Sequence, residues 1–310
     1  MRPLARTLVF LTFTACGGSS DASPDASAAD AGPLPDLATI GDSAITDAAI
    51  PTTLGTTDRP AMVVRPNQWN GPAPLIVLLH GYTSSAAIED VYLGVSRVAR
   101  TMGVFVLLPN GTVDADGNPF WNATPACCDF GHTDVDDVGY LRDLVHEATS
   151  RLPIDPARVY FFGHSNGGFM SYRMACEMSD EVAAIAVLAG SDFEDATACV
   201  PTAPVSLFHM HGTDDDSILY AGQPGGYPGA ESVVARWAAY AHCNEEPVTL
   251  PATLDLVSAI DGAETDVIHY DGCDTGFDVQ LNRMNGAGHV PYFAAGAMDG
   301  IVAWLTAHHR

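Results

Sequence analysis

One serine of the chain stands in a local pattern that suits nucleophilic catalysis. Ser165 is the central residue of the segment GHSNG, a G-x-S-x-G pattern that follows the apolar run VYFF and opens the amphipathic run GGFMSYRMACEM. Between a predicted strand and a predicted helix, the glycines permit a tight turn that exposes the serine hydroxyl. The N-terminus of the helix would add positive potential where an oxyanion forms. The pattern therefore predicts a nucleophile, and the alternative is a loop in which glycine and serine have no chemical role.

A serine hydroxyl needs a base to attack at neutral pH, and one histidine has a suitable position. His289 lies in MNGAGHVPYF, after the last predicted strand and before the last predicted helix. His80 and His211 each precede a glycine at a strand end, where we expect them to brace loops. His308 and His309 lie in the terminal tail. The pattern favours His289 as the base.

A carboxylate should orient that histidine, and it should follow the predicted strand VSLFHMH. The segment HGTDDDSILY offers Asp214, Asp215 and Asp216. Three adjacent carboxylates cannot all face one imidazole. Spacing alone does not choose among them.

The oxyanion of such a reaction is held by two backbone N–H groups. One belongs to the residue after the nucleophile, Asn166. The other is expected in the loop LIVLLHGYTSSA, at Tyr82 or Thr83. Loss of one such donor typically lowers turnover about 10²–10³-fold.

The elements that would position these groups alternate between short apolar runs and amphipathic runs. Continuous apolar runs predict strands buried on both faces, and hence a doubly wound, mostly parallel sheet with helices on both faces. The active groups should meet where the strands end at their carboxyl edge. The predicted strands are AMVV, LIVLLH, VFVLLP, VYFFG, AIAVLA, VSLFHMH and FDVQLNRM. The predicted helices are IEDVYLGVSRVARTM, DVGYLRDLVHEATSRL, GGFMSYRMACEM, AESVVARWAAYAH and GAMDGIVAWLTAHH.

Composition limits the partners of the chain. Its 310 residues carry a formal net charge of −25, and all 13 basic residues are arginine. Such a surface repels phosphate backbones and anionic lipid, so we expect no nucleic-acid partner and a neutral substrate. The chemistry above requires no cofactor, and none is predicted.

The N-terminal segment has the features of an export signal. Arg2 and Arg6 precede the short apolar run LVFLTFTA, and the run ends in FTAC, which resembles a bacterial lipoprotein signal. Residues 1–16 are the predicted signal segment, with cleavage before Cys16 so that its thiol carries lipid; the alternative is an ordinary secretion signal. Both place the protein in the cell envelope or outside the cell. Residues 17–55, rich in Ala, Asp, Ser and Pro, are predicted to be a disordered linker, and residues 56–310 a catalytic domain.

Six cysteines follow Cys16, an even number that suits disulfides in an oxidising compartment. No Cys-x-x-Cys pair or Cys/His cluster has metal-ligand spacing, so no metal site is predicted. Cys243 and Cys273 are the first predicted pair, because both lie in the same late insertion. The pairing of the other four stays open. The six candidates are Cys127, Cys128, Cys176, Cys199, Cys243 and Cys273.

Two acidic segments have a structural and a metal-binding interpretation. DADGN, residues 114–118, is partly similar to a calcium loop but lacks its downstream glutamate, so it predicts a turn. Asp136 and Asp137 precede VGYLRDLV, where carboxylates suit a helix N-terminus.

Several longer motifs resemble the secreted poly(3-hydroxybutyrate) depolymerase-like esterases, which include feruloyl and acetylxylan esterases. The resemblance runs from about residue 59 to the C-terminus and implies the α/β-hydrolase fold. It also implies that the catalytic residues follow the chain order Ser, acid, His. In relatives the acid loop resembles H-G-T-A-D-P with the catalytic Asp at the fifth position, which corresponds to Asp215 here. The region around Trp121 is implied to border the substrate cleft. The motifs are LLHGYTSS, PNGTVDADGNPFWNATPACCD, DVDDVGYLRDLV, RVYFFGHSNGGFMSYRMAC, HGTDDDSILY and GAGH.

The chain departs from these relatives after the histidine. They often carry a Trp-Pro pair there, whereas His289 is followed by Val290, Pro291 and Tyr292. Tyr292 is expected to replace that aromatic platform, so Tyr82, Trp121 and Tyr292 are the predicted substrate-binding residues.

The sequence therefore predicts a serine esterase that works through an acyl-enzyme on an ester substrate. The ester is expected to be a polyhydroxyalkanoate-type polyester or oligomer, or a feruloyl or acetyl ester of a polysaccharide. The alternatives are a serine peptidase on the same fold and a non-catalytic surface-tethered binding protein. Contact with a membrane is expected only through the lipid on Cys16.

Overall fold

The fold is built on strands whose residues are buried on both faces. The computed structural model describes residues 50–250 and 254–310. In β3, β4, β8 and β9, defined below, every residue is buried, as continuous apolar runs predict. The strands are β1 Thr53–Gly55, β2 Pro60–Val64, β3 Ala73–Leu79, β4 Phe105–Leu108, β5 Thr112–Val113, β6 Pro119–Phe120, β7 Ile154–His164, β8 Val182–Leu188, β9 Ser206–Gly212, β10 Gly222–Gln223, β11 Tyr227–Pro228, β12 Val248–Thr249, β13 Thr265–Tyr270 and β14 Val279–Met284.

The main sheet has a parallel centre and antiparallel edges. Within the described residues it contains ten strands in the order β1-β2-β4-β3-β7-β8-β9-β14-β13-β12. The pairs from β4 through β14 are parallel, and the outer pairs on both sides are antiparallel. The parallel strands β3, β7, β9 and β14 therefore end at one edge of the sheet.

Helices cover both faces of the sheet. They are α1 Ala86–Leu93, α2 Val95–Met102, α3 Asp137–Arg151, α4 Asn166–Glu177, α5 Ala230–Tyr240 and α6 Ala297–Ala307. Successive residues of β7 face opposite cores: Val159 and Phe161 pack with α3, α4 and α5, whereas Tyr160 and Phe162 pack with α1, α2 and α6. In the described part of the chain, none of the helices has the length and apolar character needed to cross a bilayer.

Three details differ from the sequence predictions. Residues 88–102 form two helices instead of one, because Gly94 adopts a left-handed conformation (φ 70°) that ends α1 and begins α2. β13 was not predicted, since TDVIHY mixes polar and apolar residues as an antiparallel strand near an edge does. β1 falls inside the predicted linker 17–55 and pairs with β2, so the folded part starts before residue 56. The predicted signal 1–16, with Cys16, lies outside the described residues, as does the linker up to residue 49.

Three disulfides join the six cysteines of the described region. The predicted pair Cys243–Cys273 is confirmed. Cys176, in the last turn of α4, pairs with Cys199. The adjacent residues Cys127 and Cys128 pair with each other.

Candidate active site

Ser165 occupies a sharp turn between β7 and α4. Its backbone has φ 55° and ψ −120°, a conformation that non-glycine residues rarely adopt. The two flanking glycines allow the close approach that this turn needs. A Cβ on Gly163 would lie 2.0 Å from the Gly167 carbonyl oxygen, and one on Gly167 would lie 2.2 Å from the Leu79 carbonyl oxygen. The glycines of the motif are therefore required by the contact between β3, β7 and α4.

The three side chains selected in the sequence form one hydrogen-bonded chain at the carboxyl edge of the sheet. The Nε2 atom of His289 lies 2.9 Å from Ser165 Oγ, and its Nδ1 atom lies 2.8 Å from Asp215 Oδ2. A carboxylate only accepts hydrogen bonds, so Nδ1 carries the proton and Nε2 is left to accept from the serine hydroxyl. This is the tautomer that a general base requires.

Asp215 differs from its acidic neighbours in burial. It is buried, whereas Asp214 and Asp216 are exposed. Its Oδ1 accepts hydrogen bonds from the backbone N–H groups of Ser217 and Ile218. Burial alone would raise the pKa of Asp215, but side-chain hydrogen bonds with two histidines outweigh it and hold the pKa well below its ordinary value. The carboxyl group is consequently ionised at neutral pH.

Two backbone N–H groups near Ser165 are available to an oxyanion. That of Asn166 lies in the first turn of α4, where no acceptor exists within the helix. That of Thr83 donates to the Pro119 carbonyl oxygen, so Thr83 is excluded as the second donor. The N–H of Tyr82 has no acceptor among the described residues. The candidate pair is therefore Asn166 with Tyr82.

The Asn166 side chain fixes the start of α4. Its Oδ1 accepts from the Trp121 N–H at 2.7 Å, and its Nδ2 donates to the Trp121 carbonyl oxygen at 2.9 Å. Nδ2 also lies 3.4 Å from Cys127 Sγ. The nucleophile turn is thereby tied to the disulfide segment.

A cleft of about 340 Å³ opens beside Ser165 and His289. Much of its wall is apolar or aromatic: Tyr82, Ile88, Tyr92, Val290 and Tyr292 line it. Tyr292 is 72% exposed and lies at the rim of the cleft. The Tyr82 hydroxyl donates to Asp114 at 2.7 Å, which orients the Tyr82 ring.

Trp121 does not border this cleft, and the expectation from the family resemblance is wrong at this position. Its side chain is fully buried and is not among the residues that line the cleft. Its indole N–H donates to the His80 carbonyl oxygen at 3.1 Å, and the ring packs against His80. A large aromatic ring gains more from this apolar environment than from solvent. From this buried position, Trp121 supports the loop that carries Tyr82.

The strand-end histidines brace loops, as predicted. His80 accepts from the Gly111 N–H through Nε2, and its Nδ1 contacts the Gly81 carbonyl oxygen. Burial lowers the pKa of His80, so the ring is neutral. His211 Nε2 contacts the Ile218 carbonyl oxygen at 2.8 Å and steadies the loop of Asp215.

The two acidic segments have structural roles. Asp114 Oδ1 accepts from the N–H groups of Asp116 and Asn118 in the β5–β6 turn. Asp136 caps α3, and Asp137 forms an ion pair with Arg59. Within residues 50–250 and 254–310, no group of three or more His, Cys, Asp or Glu side chains is placed to hold a metal ion.

Sequence reasoning missed one pair of side chains at the site. Glu89 of α1 contacts His164, the residue that precedes the nucleophile. The histidine was visible inside the motif, but nothing in the sequence indicated that a glutamate 75 residues earlier faces it.

Together, the sheet order, the turn at Ser165 and the placement of His289 and Asp215 define the α/β-hydrolase fold. A solved structure of this kind, the acetyl xylan esterase from Aspergillus awamori, superposes with a TM-score of 0.58 at 15% identity. The match covers 82% of this chain and 98% of that one. No protein-family model matches the chain.

At the sequence level the chain is similar to known esterases. It is 29% identical over 259 residues to feruloyl esterase B from Piromyces equi, a match that covers 79% of this chain and 44% of that protein. It is 34% identical over 151 residues to a poly(3-hydroxybutyrate) depolymerase from Ralstonia pickettii, a match that covers 45% of this chain and 30% of that protein. The chain thus spans less than half the length of these relatives. The predicted resemblance to feruloyl esterases and polyhydroxybutyrate depolymerases is confirmed.

Proposed function

We propose that the chain is a serine carboxylic-ester hydrolase that works through an acyl-enzyme. The observation that carries the proposal is the hydrogen-bonded chain from Ser165 through His289 to Asp215. The N–H groups of Asn166 and Tyr82 are the proposed oxyanion donors, and an open cleft lies beside Ser165 and His289. Similarity to esterases supports the same conclusion.

In the first half of the reaction, Ser165 Oγ attacks the ester carbonyl carbon while its proton passes to His289 Nε2. The carbonyl oxygen becomes an oxyanion that accepts hydrogen bonds from the N–H groups of Asn166 and Tyr82. The C–O bond to the alcohol then breaks, and His289 gives its proton to the leaving oxygen. An acyl group remains on Ser165.

In the second half, His289 removes a proton from water, and the hydroxide adds to the acyl carbon. The new oxyanion collapses, the bond to Ser165 Oγ breaks, and His289 returns its proton to the serine. Asp215 remains ionised in both halves, because its pKa is held low, and stabilises the imidazolium that forms twice in each turnover.

The cleft supports a neutral ester with an apolar acyl group as substrate. Ile88, Val290 and Tyr292 offer apolar contact area next to Ser165. The net charge of −25 disfavours anionic substrates by long-range repulsion. Polyhydroxyalkanoate oligomers or polymer, and feruloyl or acetyl esters of polysaccharides, are the proposed classes, named by the relatives' activities.

A parallel assay of esters and amides tests this function against the peptidase alternative. We expect hydrolysis of p-nitrophenyl butyrate, methyl ferulate or hydroxybutyrate oligomers, and none of peptide p-nitroanilides. The reason is that, among the described residues, the acidic side chain that lines the cleft is Glu89, which is buried and already contacts Gly81 and His164 with its two oxygens. Amide turnover equal to ester turnover would favour a peptidase. Absence of both activities would favour the binding protein.

We also propose that the protein is exported and held in the envelope by lipid on Cys16. The three disulfides support an oxidising compartment. Metabolic labelling with an alkyne fatty acid should mark the wild-type protein and not Cys16→Ser. A protein released unlabelled into the medium would indicate an ordinary secretion signal instead.

A further inference from the structure

A second carboxylate–imidazole pair lies beside the first. His164 Nδ1 is 3.2 Å from Glu89 Oε1, and both residues are buried, with exposures of 6% and 2%. The other nitrogen of His164, Nε2, is 3.1 Å from the backbone carbonyl oxygen of His289. The other oxygen of Glu89 accepts from the Gly81 N–H. All four polar atoms of the pair therefore have partners.

The contacts of this pair require one proton more than a neutral imidazole and a carboxylate carry together. The His289 carbonyl only accepts, so His164 Nε2 must carry a proton. The contact between Nδ1 and Glu89 then also needs a proton, on either the nitrogen or the oxygen. Without it, two lone pairs face each other in a buried site, which is costly. With it, the pair has no net charge.

The pair is attached to the loop that carries the base. The rings of His164 and His289 lie 5.0 Å apart, and Tyr92 of α1 donates to the Pro291 carbonyl oxygen at 2.8 Å. The loop is thus held at two carbonyls, by His164 and by Tyr92.

We propose that Glu89 and His164 are positioning residues that share a proton and use it to hold the His289 main chain at the distance Ser165 requires. This proposal rests on the proposed function. Replacement of Glu89 by an apolar side chain breaks the Glu89–His164 contact and releases one of the two anchors of the loop. The expected consequence is a lower kcat with KM nearly unchanged.

Glu89→Gln removes the shared proton but can keep the hydrogen bonds of the contact. The glutamine oxygen can accept from Gly81 while its NH₂ donates to His164 Nδ1, so the network persists without the shared proton. We expect kcat for p-nitrophenyl butyrate at pH 7 to remain within about threefold of wild type. Glu89→Leu removes the anchor, so kcat should fall about 10- to 100-fold with KM nearly unchanged.

Glu181→Gln is the matched control, because Glu181 makes the same kind of contact with His146 on the exposed surface. Its kcat and KM should equal those of wild type. Full kcat in Glu89→Leu would overturn the proposal, and so would a loss of kcat in Glu89→Gln as large as in Glu89→Leu, because glutamine can keep every hydrogen bond of the contact. Should Glu89→Leu fail to fold, a fall of kcat beyond about tenfold in Glu89→Gln would overturn the proposal. A wild-type protein without ester turnover would instead refute the proposed function, and this inference with it.

Discussion

Ser165→Ala is expected to lower kcat/KM for p-nitrophenyl butyrate by at least about 10⁴-fold. The substitution removes the oxygen that forms the acyl-enzyme, and it leaves His289 and the oxyanion donors in place. Residual turnover would then come from hydroxide or water attack on a bound ester. Steady-state assays of the purified variant measure this effect.

The control for that variant is a serine of similar chemistry away from the cleft. Ser150 of α3 donates to the Glu147 carbonyl oxygen at an exposed position, so Ser150→Ala should keep wild-type turnover. Circular dichroism should be the same for all three proteins. Turnover by Ser165→Ala within a few fold of wild type would show that Ser165 is not the nucleophile.

Asp215→Asn is expected to lower kcat about 10⁴-fold near neutral pH, with a smaller change in KM. An asparagine can present its NH₂ to His289 Nδ1, which moves the imidazole proton to Nε2. The nitrogen that faces Ser165 Oγ at 2.9 Å then cannot accept a proton. The variant also loses the negative charge that stabilises the imidazolium. Rates measured across the pH range would separate this loss from unfolding.

Asp214→Asn and Asp216→Asn provide matched controls within the same acidic run. Both carboxylates are exposed and neither contacts His289. We expect each variant to keep kcat within about twofold, since an exposed charge has a small effect through solvent. A large loss in either of them, with Asp215→Asn active, would show that the acid is misassigned.

The sequence predicts the site best where local rules decide the structure. The turn at Ser165 follows from glycines between a strand and a helix, and His289 follows from its place after the last strand. The choice of Asp215 among three aspartates depends on which side chain is buried against His211 and His289, which spacing does not reveal. The family resemblance supplied that choice.

The remaining features depend on contacts between residues that are distant along the chain. Trp121 is buried because Asn166 and His80 bind it from two separate strand ends. The pairing of Glu89 with His164 depends on how α1 packs beside the nucleophile turn. The division between α1 and α2 depends on the left-handed Gly94, and a glycine within an apolar helical pattern is also compatible with a continuous helix.

Active-site labelling tests the central claim most directly. The protein is treated with a fluorophosphonate, digested with trypsin and analysed by mass spectrometry, with Asp215→Asn as a slow-reacting comparison. Cleavage after Arg158 and Arg173 yields the peptide of residues 159–173, which contains Ser165 and Ser171. We predict one phosphonyl group per chain, placed on Ser165 by fragmentation. An unmodified protein, or a label on any other residue, would contradict the assignment of Ser165 as the nucleophile.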